Sequence, residues 1–313
     1  MVVDGQPLQL KVFSSEGKLL RNLGRLGEGP GEYRTISSVT ANAAGQIVIL
    51  DLQLARMTYY DIGGKLVATM RLPAMSCCRL DGAVLAEGII LEPLHSRNPV
   101  TVIPKGHTAF RRIDSNRQKL DTTFYPECAV PSRVAKEFVR ISLPSGAYMQ
   151  MRIPYLPAPQ VAFGTDGSMW CSPSDTYTLY RFAPGRSDTL YRVAKPLKGP
   201  LVPDSARKLE TMRLARASFE DGTKFDPTSI PRVQPVIESI AVDAVGRVWV
   251  RRTDTPATSP SFDVFDSMGR ALLTVQSSAR WRGIPLLHSG FAYGIISDED
   301  DVQHIVKARL RRR

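Results

Sequence analysis

Three stretches of the chain share one pattern: VTANAAGQIVIL at 39–50, VAFGTDGSMWCS at 161–172 and IAVDAVGRVWVR at 240–251. Each stretch places a glycine, Gly45, Gly167 or Gly246, between two short runs rich in β-branched and aromatic residues. Glycine readily adopts the positive φ that a tight hairpin turn requires, and the flanking runs have the composition of strands. Each stretch therefore predicts a β-hairpin.

A second type of hairpin recurs beside the first. It is found in LKVFSSEGKLLRNL at 10–23, MTYYDIGGKLVATM at 57–70 and FDVFDSMGRALLTV at 262–275, with a weaker copy, TLYRFAPGRSDTLYRV, at 178–193. Two hairpins in tandem form a four-stranded unit, and a period of about 40 to 47 residues is typical of sheets repeated around an axis. The sequence therefore predicts an all-β fold, a six-bladed β-propeller of four-stranded antiparallel blades.

The predicted domain organisation is one propeller spanning 1–313. Five blades are expected at 36–72, 75–115, 120–158, 160–193 and 239–276, with an insertion at 194–238. The sixth blade combines 2–23 with 288–312, since both ends of the chain read as partial units. Pairing of the N- and C-terminal strands would close the ring and cover strand edges that are otherwise exposed.

The insertion contains a helix pattern near 203–219. Asp204 or Ser205 can cap its start, and Leu209, Met212 and Phe219, with Ala215, recur at helical spacing. The pattern predicts a helix that packs over the mouth of the propeller on its apolar side. A lid that guards the central channel is the functional alternative.

The sequence LGRLGEGPGEY at 23–33, followed by AAGQIVILD and RMTYYDIGGK, resembles the bacterial six-bladed β-propeller family related to NHL repeats, whose members carry a GxGPGE stretch between blades. The resemblance is strongest at 9–72 and 239–276. Such relatives begin with an export or lipoprotein signal, so the resemblance implies export. The first residues, MVVDGQPLQLKVF, have no signal-peptide pattern, so the chain as written is expected to be soluble, the start to be truncated and the localisation to stay open.

The net charge of +11 and the isoelectric point near 9.7 favour anionic partners, such as a small molecule, a glycan or a protein. The basic C-terminal residues lack interleaved aromatic side chains, so no specific nucleic-acid platform is indicated. No run of 18 apolar residues predicts a membrane-spanning helix. A monomer is expected.

No pattern of metal, cofactor or nucleophile residues stands out. The four histidines are scattered, and Cys77, Cys78, Cys128 and Cys171 match no zinc or redox spacing. Reduced core cysteines are the expected state, with a Cys128–Cys171 or vicinal bridge as the alternative. No catalytic residue, metal ligand or cofactor is therefore assigned.

In a propeller, the long blade-to-blade connections lie on one face, which we call the connector face. Non-repeating residues in those connections are candidates for ligand binding: Arg25, Arg34, Arg280, Trp281 and Arg282. Trp170 and Trp249 recur with the repeat and are expected to pack between blades. The predicted function is non-catalytic ligand or protein binding on the connector face, with a propeller-type lyase or lactonase/hydrolase at the channel mouth as the alternative.

Overall fold

The structure, a computed structural model, describes residues 1–5, 8–41, 45–72, 89–94, 102–114, 120–128, 137–142, 146–243, 245–255, 259–288 and 290–309. Within these ranges the chain forms 26 strands, one α-helix and one 3-10 turn, which confirms the all-β class. None of the described helical residues forms a segment long and apolar enough to cross a membrane.

The first half of the chain forms three sheets and a separate hairpin. Sheet 1 contains β1 (Val2–Gly5), β2 (Leu8–Phe13) and β3 (Leu19–Leu23), and a short parallel pair, β4 (Arg25–Leu26) and β5 (Glu32–Tyr33), follows it. Sheet 2 contains β6 (Ser38–Ala41), β7 (Ile47–Asp51), β8 (Arg56–Tyr60) and β9 (Leu66–Arg71). Sheet 3 contains β10 (Ile89–Leu94), β11 (His107–Asp114) and β12 (Leu120–Pro126), and the hairpin consists of β13 (Phe138–Ser142) and β14 (Tyr148–Arg152).

The second half forms three further sheets and the helical insertion. Sheet 4 contains β15 (Gln160–Phe163), β16 (Met169–Ser172), β17 (Thr178–Phe182) and β18 (Thr189–Ala194), and the insertion carries α1 (Asp204–Arg213) and the 3-10 turn Pro227–Ser229. Sheet 5 contains β19 (Ile237–Val242), β20 (Val248–Arg252), β21 (Ser261–Phe265) and β22 (Ala271–Gln276). Sheet 6 contains β23 (Arg280–Trp281), β24 (Leu286–His288), β25 (Phe291–Ser297) and β26 (Gln303–Arg309).

The predicted four-stranded repeat is confirmed in sheets 2, 4 and 5, where the strands pair in chain order. The repeated glycines adopt positive φ, as their hairpin turns require: Gly17, Gly45, Gly64, Gly167, Gly246 and Gly269. A β-bulge precedes the outer turn of four sheets, at Phe13, Tyr60, Phe182 and Phe265. The recurring aromatic residue before the turn glycine therefore marks a recurring local geometry.

The sheets pack face to face, which produces the propeller arrangement. Shared apolar cores lie between sheets 1 and 2, 3 and 4, 4 and 5, and 5 and 6, around residues such as Tyr33, Phe163, Trp170 and Trp249. The first strands β15 and β19 contact each other, whereas β18 and β22 are largely exposed. The first strand of each of these sheets is therefore the inner one. Trp170 and Trp249 are buried, as the repeat predicted.

The predicted pairing of 290–311 with the N-terminal strands is wrong. The last strands belong to sheet 6 and β2 belongs to sheet 1, because Arg280–Trp281 and Leu286–His288 supply the partner of β25, while Val2–Gly5 supplies that of β2. The two sheets are still neighbours. Lys307 Nζ in sheet 6 donates a hydrogen bond to the carbonyl oxygen of Ser15 in sheet 1 at 3.1 Å.

The predicted blade at 120–158 is also wrong. Leu120–Pro126 pairs with His107–Asp114 and belongs to sheet 3, because the two segments form one antiparallel hairpin. The β13–β14 hairpin leaves the ring and packs on the helical insertion instead. Sheets 3 and 4 can then share a core directly. Most of the predicted blade segment 75–101 lies outside the described residues.

A helix is confirmed over Asp204–Arg213, but it ends six residues before the predicted position 219, and its predicted cap and packing side are wrong. Pro203 occupies the N-cap without a side-chain hydrogen bond. Leu209 and Met212 are each 61% exposed, because Leu214 and Phe219, beyond the helix, fill the apolar core of the insertion instead.

The expectation of reduced cysteines is wrong for the pair that the structure describes. Cys128 and Cys171 form a disulfide with their Cα atoms 6.0 Å apart, which joins the end of sheet 3 to β16. The bond is possible because the shared core of sheets 3 and 4 brings the two residues together. Cys77 and Cys78 lie outside the described residues.

Candidate functional site

The glycine-rich connector 24–33 neutralises its own charges. Arg25 Nε donates to Glu32 Oε1 at 2.8 Å, and Arg34 Nε donates to Glu28 Oε1 at 2.9 Å. Glu32 Oε2 also accepts from the backbone N–H of Gly29, and this bond, with that from Arg25, lowers the pKa of the Glu32 carboxyl. Arg56 donates to the carbonyl oxygens of Glu28 and Glu32. The connector is therefore a braced structural element.

The second group of predicted ligand residues lies at the start of sheet 6. Trp281 is only 6% exposed, packs in the core between sheets 5 and 6, and donates from Nε1 to Ser277 Oγ at 2.6 Å. Arg282 Nη2 contacts Asp301 Oδ1 at 2.8 Å, and Arg280 is exposed. The structure places these residues on a different connection from Arg25 and Arg34. Arg280 is the exposed guanidinium of the set for which no carboxylate partner is described.

A buried polar network joins sheets 4 and 5 near the connector face. The Asp263 carboxylate is 2% exposed and accepts from Lys195 Nζ at 2.8 Å, Thr274 Oγ1 at 2.8 Å and the Tyr177 hydroxyl. Arg252 Nη1 lies 3.8 Å from Asp263 Oδ1, the oxygen that accepts from Thr274. Sequence reasoning missed this group, since its members come from five separate strands and loops.

The charges and hydrogen bonds of this network indicate a structural role. Burial alone would raise the pKa of Asp263, but the hydrogen bonds from Lys195, Tyr177 and Thr274 outweigh it and hold the pKa below its ordinary value. Burial and the neighbouring carboxylate strongly raise the pKa of Tyr177, so its hydroxyl stays protonated and donates. Both oxygens of the Asp263 carboxylate accept hydrogen bonds, which suits a structural role better than a reactive one.

A lobe is formed where two sheet-to-sheet connections meet on the connector face. It consists of the β13–β14 hairpin and residues 201–236 of the insertion. The backbone N–H of Arg140 donates to Ser218 O at 2.7 Å, and Ser218 N–H donates back to Arg140 O at 2.9 Å. A shared apolar core beneath them includes Val139, Leu214 and Phe219. The described parts of the two connections therefore contact each other through hydrogen bonds and a shared apolar core.

The lobe contains a pocket of about 540 Å³, which we call the lobe pocket. Both connections contribute to its lining: Glu137, Phe138, Arg140, Gln150, Phe219, Glu220 and Asp221. Its volume lies within the range of small-molecule sites, and its lining combines aromatic surface with a few charged groups. Sequence reasoning missed it because 139–153 was assigned to a blade.

Ion pairs and ring contacts hold the charged groups of the lobe pocket in place. Arg140 Nη2 contacts Glu220 Oε1, and the guanidinium lies over the Tyr148 ring, 4.4 Å from its centroid. Glu137 faces Arg152 Nη2 at 3.3 Å, and Arg152 also donates to the backbone carbonyls of Leu156 and Pro157. The position of the lining is therefore set before a ligand arrives.

The face opposite the connector face carries the tight hairpin turns, and it also has a pocket. A pocket of about 230 Å³ lies there between sheets 4 and 5. Arg181 fills part of it, contacting Asp166 and donating from Nη1 to Ser267 O at 2.7 Å. This pocket is less than half the size of the lobe pocket, and its arginine is already engaged.

Comparisons with known proteins agree with the fold. A family model described as a six-bladed β-propeller matches residues 1–86. A putative exported protein from Bacteroides fragilis is 13% identical, with 99% of this chain and 87% of that chain covered and a TM-score of 0.50. A member of the DUF4221 family from Bacteroides vulgatus is 9% identical, covering 97% and 86%, with a TM-score of 0.49.

A catalytically inactive virginiamycin B lyase from Staphylococcus aureus is 14% identical, covering 97% of this chain and 88% of that chain, with a TM-score of 0.43. No curated protein sequence matches the chain. The predicted resemblance to bacterial six-bladed propellers is confirmed, and the Bacteroides fragilis structure supports the fold alone.

Proposed function

We propose that this protein is a non-catalytic binding β-propeller that holds a small ligand in the lobe pocket on its connector face. The pocket itself is the observation that carries the proposal. It lies between two connections that leave the ring of sheets and order each other, and it has the size and aromatic content of a ligand site. Sites built from loops on a rigid scaffold are common in repeat folds.

The scaffold below the lobe is rigid in ways that favour a preformed site. The disulfide joins sheets 3 and 4 on one side, and the Asp263 network joins sheets 4 and 5 on the other. The hairpin and the insertion depart from these same sheets. A ligand would therefore meet a lining whose ordering cost has already been met during folding.

The arginine site at Arg25, Arg34, Arg280, Trp281 and Arg282 stays a prediction of anion binding. An anion at Arg25, Arg34 or Arg282 would have to displace Glu32, Glu28 or Asp301 from an ion pair. Surface pairs contribute only about 0 to 1 kcal/mol, so displacement is inexpensive, but the replacement gains equally little. The lobe pocket also contains ion-paired groups, but it adds the aromatic surface of Phe138 and Phe219, and we therefore prefer it.

One observation favours the second candidate, a lyase or hydrolase at the channel mouth. The inner strand β19 shifts register between Ile237 and Ser239, which leaves Glu238 outside the regular ladder. Partial burial raises the pKa of Glu238, whose side chain is still 48% exposed, although Arg251 Nε lies 2.9 Å from its carboxylate and opposes that change. A carboxyl group of this kind suits general acid–base work.

We further propose that the protein functions in an oxidising compartment, because the Cys128–Cys171 disulfide lies in the buried core of sheets 3 and 4. Thiol alkylation of the native protein in cell fractions, followed by mass spectrometry, tests this. Cys128 and Cys171 should resist alkylation until reduced. Ready labelling of both thiols in freshly isolated protein would contradict the proposal.

The test of the binding function uses the full chain and three aromatic probes: 3-phenylpropylamine, 3-phenylpropanol and 3-phenylpropanoate. Saturation-transfer NMR reports binding at millimolar concentration. Gln150→Trp fills the pocket, and Gln303→Trp, on an exposed strand of sheet 6, is the matched control. At least one probe should bind the wild type and the control but not Gln150→Trp. If no probe shows this dependence on Gln150, the lobe pocket is not a binding site for such ligands.

The same preparations test the second candidate. Incubation of wild type and Glu238→Gln with a panel of lactones and cyclic esters, followed by mass spectrometry, should show no turnover in either. Turnover that disappears in Glu238→Gln would establish an enzymatic function instead.

A further inference from the structure

We infer that the lobe pocket selects organic cations, that is, protonated amines attached to an apolar or aromatic body. This inference rests on the proposed function and specifies the ligand class. It reverses the expectation drawn from the net charge of the whole chain, because the lining has the opposite sign.

The charge of the lining is negative. Among its described residues, Glu137, Glu220 and Asp221 each carry one negative charge and Arg140 carries one positive charge. With Arg152, which lies 3.3 Å from Glu137, the sum is −3 + 2 = −1, in a chain of net charge +11. The Asp221 carboxylate is held by the backbone N–H and hydroxyl of Thr223, at 3.1 and 2.7 Å. Glu220 is 79% exposed and within reach of an incoming ligand.

Nearby charges decide the sign of the potential inside the pocket. A charge about 4 Å from a ligand acts through an effective dielectric constant near 20. A charge about 20 Å away acts through water and is screened over about 8 Å, so its effect is roughly two hundredfold smaller. Arg140 and Arg152 are close enough to count, but the arginines and lysines on distant parts of the molecule have little effect on the potential in the pocket.

Arg140, the cation among the described residues of the lining, is already paired. The Arg140 guanidinium is paired with Glu220 and stacked over the Tyr148 ring, so it is poorly available to bind an anion. The stacking also shows that a cation over an aromatic face is a stable arrangement within this lobe. Phe138, which is 47% exposed, offers a second aromatic face in the pocket itself.

The aromatic surface distinguishes an organic cation from a metal ion. Phe138 and Phe219 provide apolar area for the body of the ligand, while Glu137 and Glu220 lie at the polar side. An amine with a body of six to ten carbons would satisfy both, within a volume of about 540 Å³. A bare metal ion would leave the aromatic part of the lining unused.

The test compares the amine, alcohol and carboxylate probes, which differ only in head-group charge. We expect 3-phenylpropylamine to bind at least tenfold more tightly than 3-phenylpropanol, and 3-phenylpropanoate more weakly than either. The Glu137→Gln, Glu220→Gln double variant should reduce amine affinity to the level of the alcohol. Glu16→Gln, Glu299→Gln, at two turns remote in sequence from the lobe, is the matched control and should leave all three affinities unchanged.

Two outcomes are distinguishable. If the alcohol or the carboxylate binds as tightly as the amine and loses its binding in Gln150→Trp, the cation selectivity is wrong while the pocket remains a binding site. If no probe shows binding that depends on Gln150, the proposed function fails and the selectivity fails with it. Circular dichroism melting of each variant establishes that it is folded under the conditions of the titration.

Discussion

Replacing Asp263 by alanine tests the buried network between sheets 4 and 5. The substitution leaves the Tyr177 hydroxyl without its acceptor, which costs about 1 to 3 kcal/mol, and removes the charge-assisted bond from Lys195, which contributes about 1.5 to 3 kcal/mol. Lys195 is 32% exposed and can turn toward solvent, so part of the second loss is recovered. We expect a total loss of about 3 to 5 kcal/mol of unfolding free energy.

Thermal and urea unfolding measure this loss. For a chain of this size, 3 to 5 kcal/mol corresponds to a fall in Tm of roughly 5 to 8 °C. Asp188→Ala, which breaks an exposed contact with Arg186, is the matched control and should cost less than about 1 kcal/mol. Lys195→Met in a double-mutant cycle gives the coupling energy. A loss for Asp263→Ala no larger than that of the control would refute the idea that the network braces the two sheets.

Three further predictions concern the disulfide, Gly199 and the pH dependence of the Asp263 network. Reduction of the Cys128–Cys171 bond should lower the unfolding free energy by about 4 kcal/mol, from loop closure over a separation of 43 residues; an unchanged urea midpoint after reduction would contradict it. Gly199→Ala should cost about 1 to 3 kcal/mol, because a Cβ there would lie 1.7 Å from the Gln234 carbonyl oxygen, whereas Gly5→Ala meets open space and should be neutral by the same melt. Because the pKa of Asp263 is lowered on folding, its stabilising contribution is present above the ordinary carboxyl pKa and is lost as pH falls through the folded value. The stability difference between wild type and Asp263→Asn should therefore stay constant from pH 7 to about pH 5 and shrink below about pH 4; a difference that grows on acidification would show the sign to be wrong.

The repeating part of the fold was predictable because its causes are local. Gly45, Gly167 and Gly246 each need positive φ for a hairpin turn, and the strands on both sides follow from composition and alternation. The same holds for the outer hairpins, whose turns end at Gly17, Gly64 and Gly269. Each repeat supplied independent support for the others.

The closure of the ring was not predictable in the same way. It depends on which of several strands, distant in sequence, pairs with the edge of each sheet. Residues 280–288 break at Arg282–Pro285, so they do not read as a strand, yet both ends of the segment pair with β25. Similarly, 138–152 has a strand pattern whether it joins a blade or a lobe. Only the packing of Val139 against Leu214 and Phe219 distinguishes the two.

The candidate site was harder to predict than the fold. Arg25 and Arg34 lie in a sheet-to-sheet connection, whereas Arg282 lies between two strands of sheet 6. The carboxylates that neutralise them come from the same connector or from a turn elsewhere in sheet 6. Trp281 was predicted to contact a ligand because it does not recur with the repeat, but it packs in the core between sheets 5 and 6. The lobe pocket lies between two segments that are distant in sequence, with its contacting residues Arg140 and Glu220 80 positions apart. No local sequence pattern indicates such a contact.

The contact between sheets 6 and 1 has a consequence for motion. Lys307, resting over the Phe291 ring at 4.4 Å, reaches Ser15 by one hydrogen bond, whereas sheets 3 and 4 are joined covalently and sheets 4 and 5 by a buried ion pair. Local opening begins where the fewest interactions must be broken. We therefore expect the amide hydrogens near this contact to exchange before those at the interfaces of sheets 3 and 4 and of sheets 4 and 5.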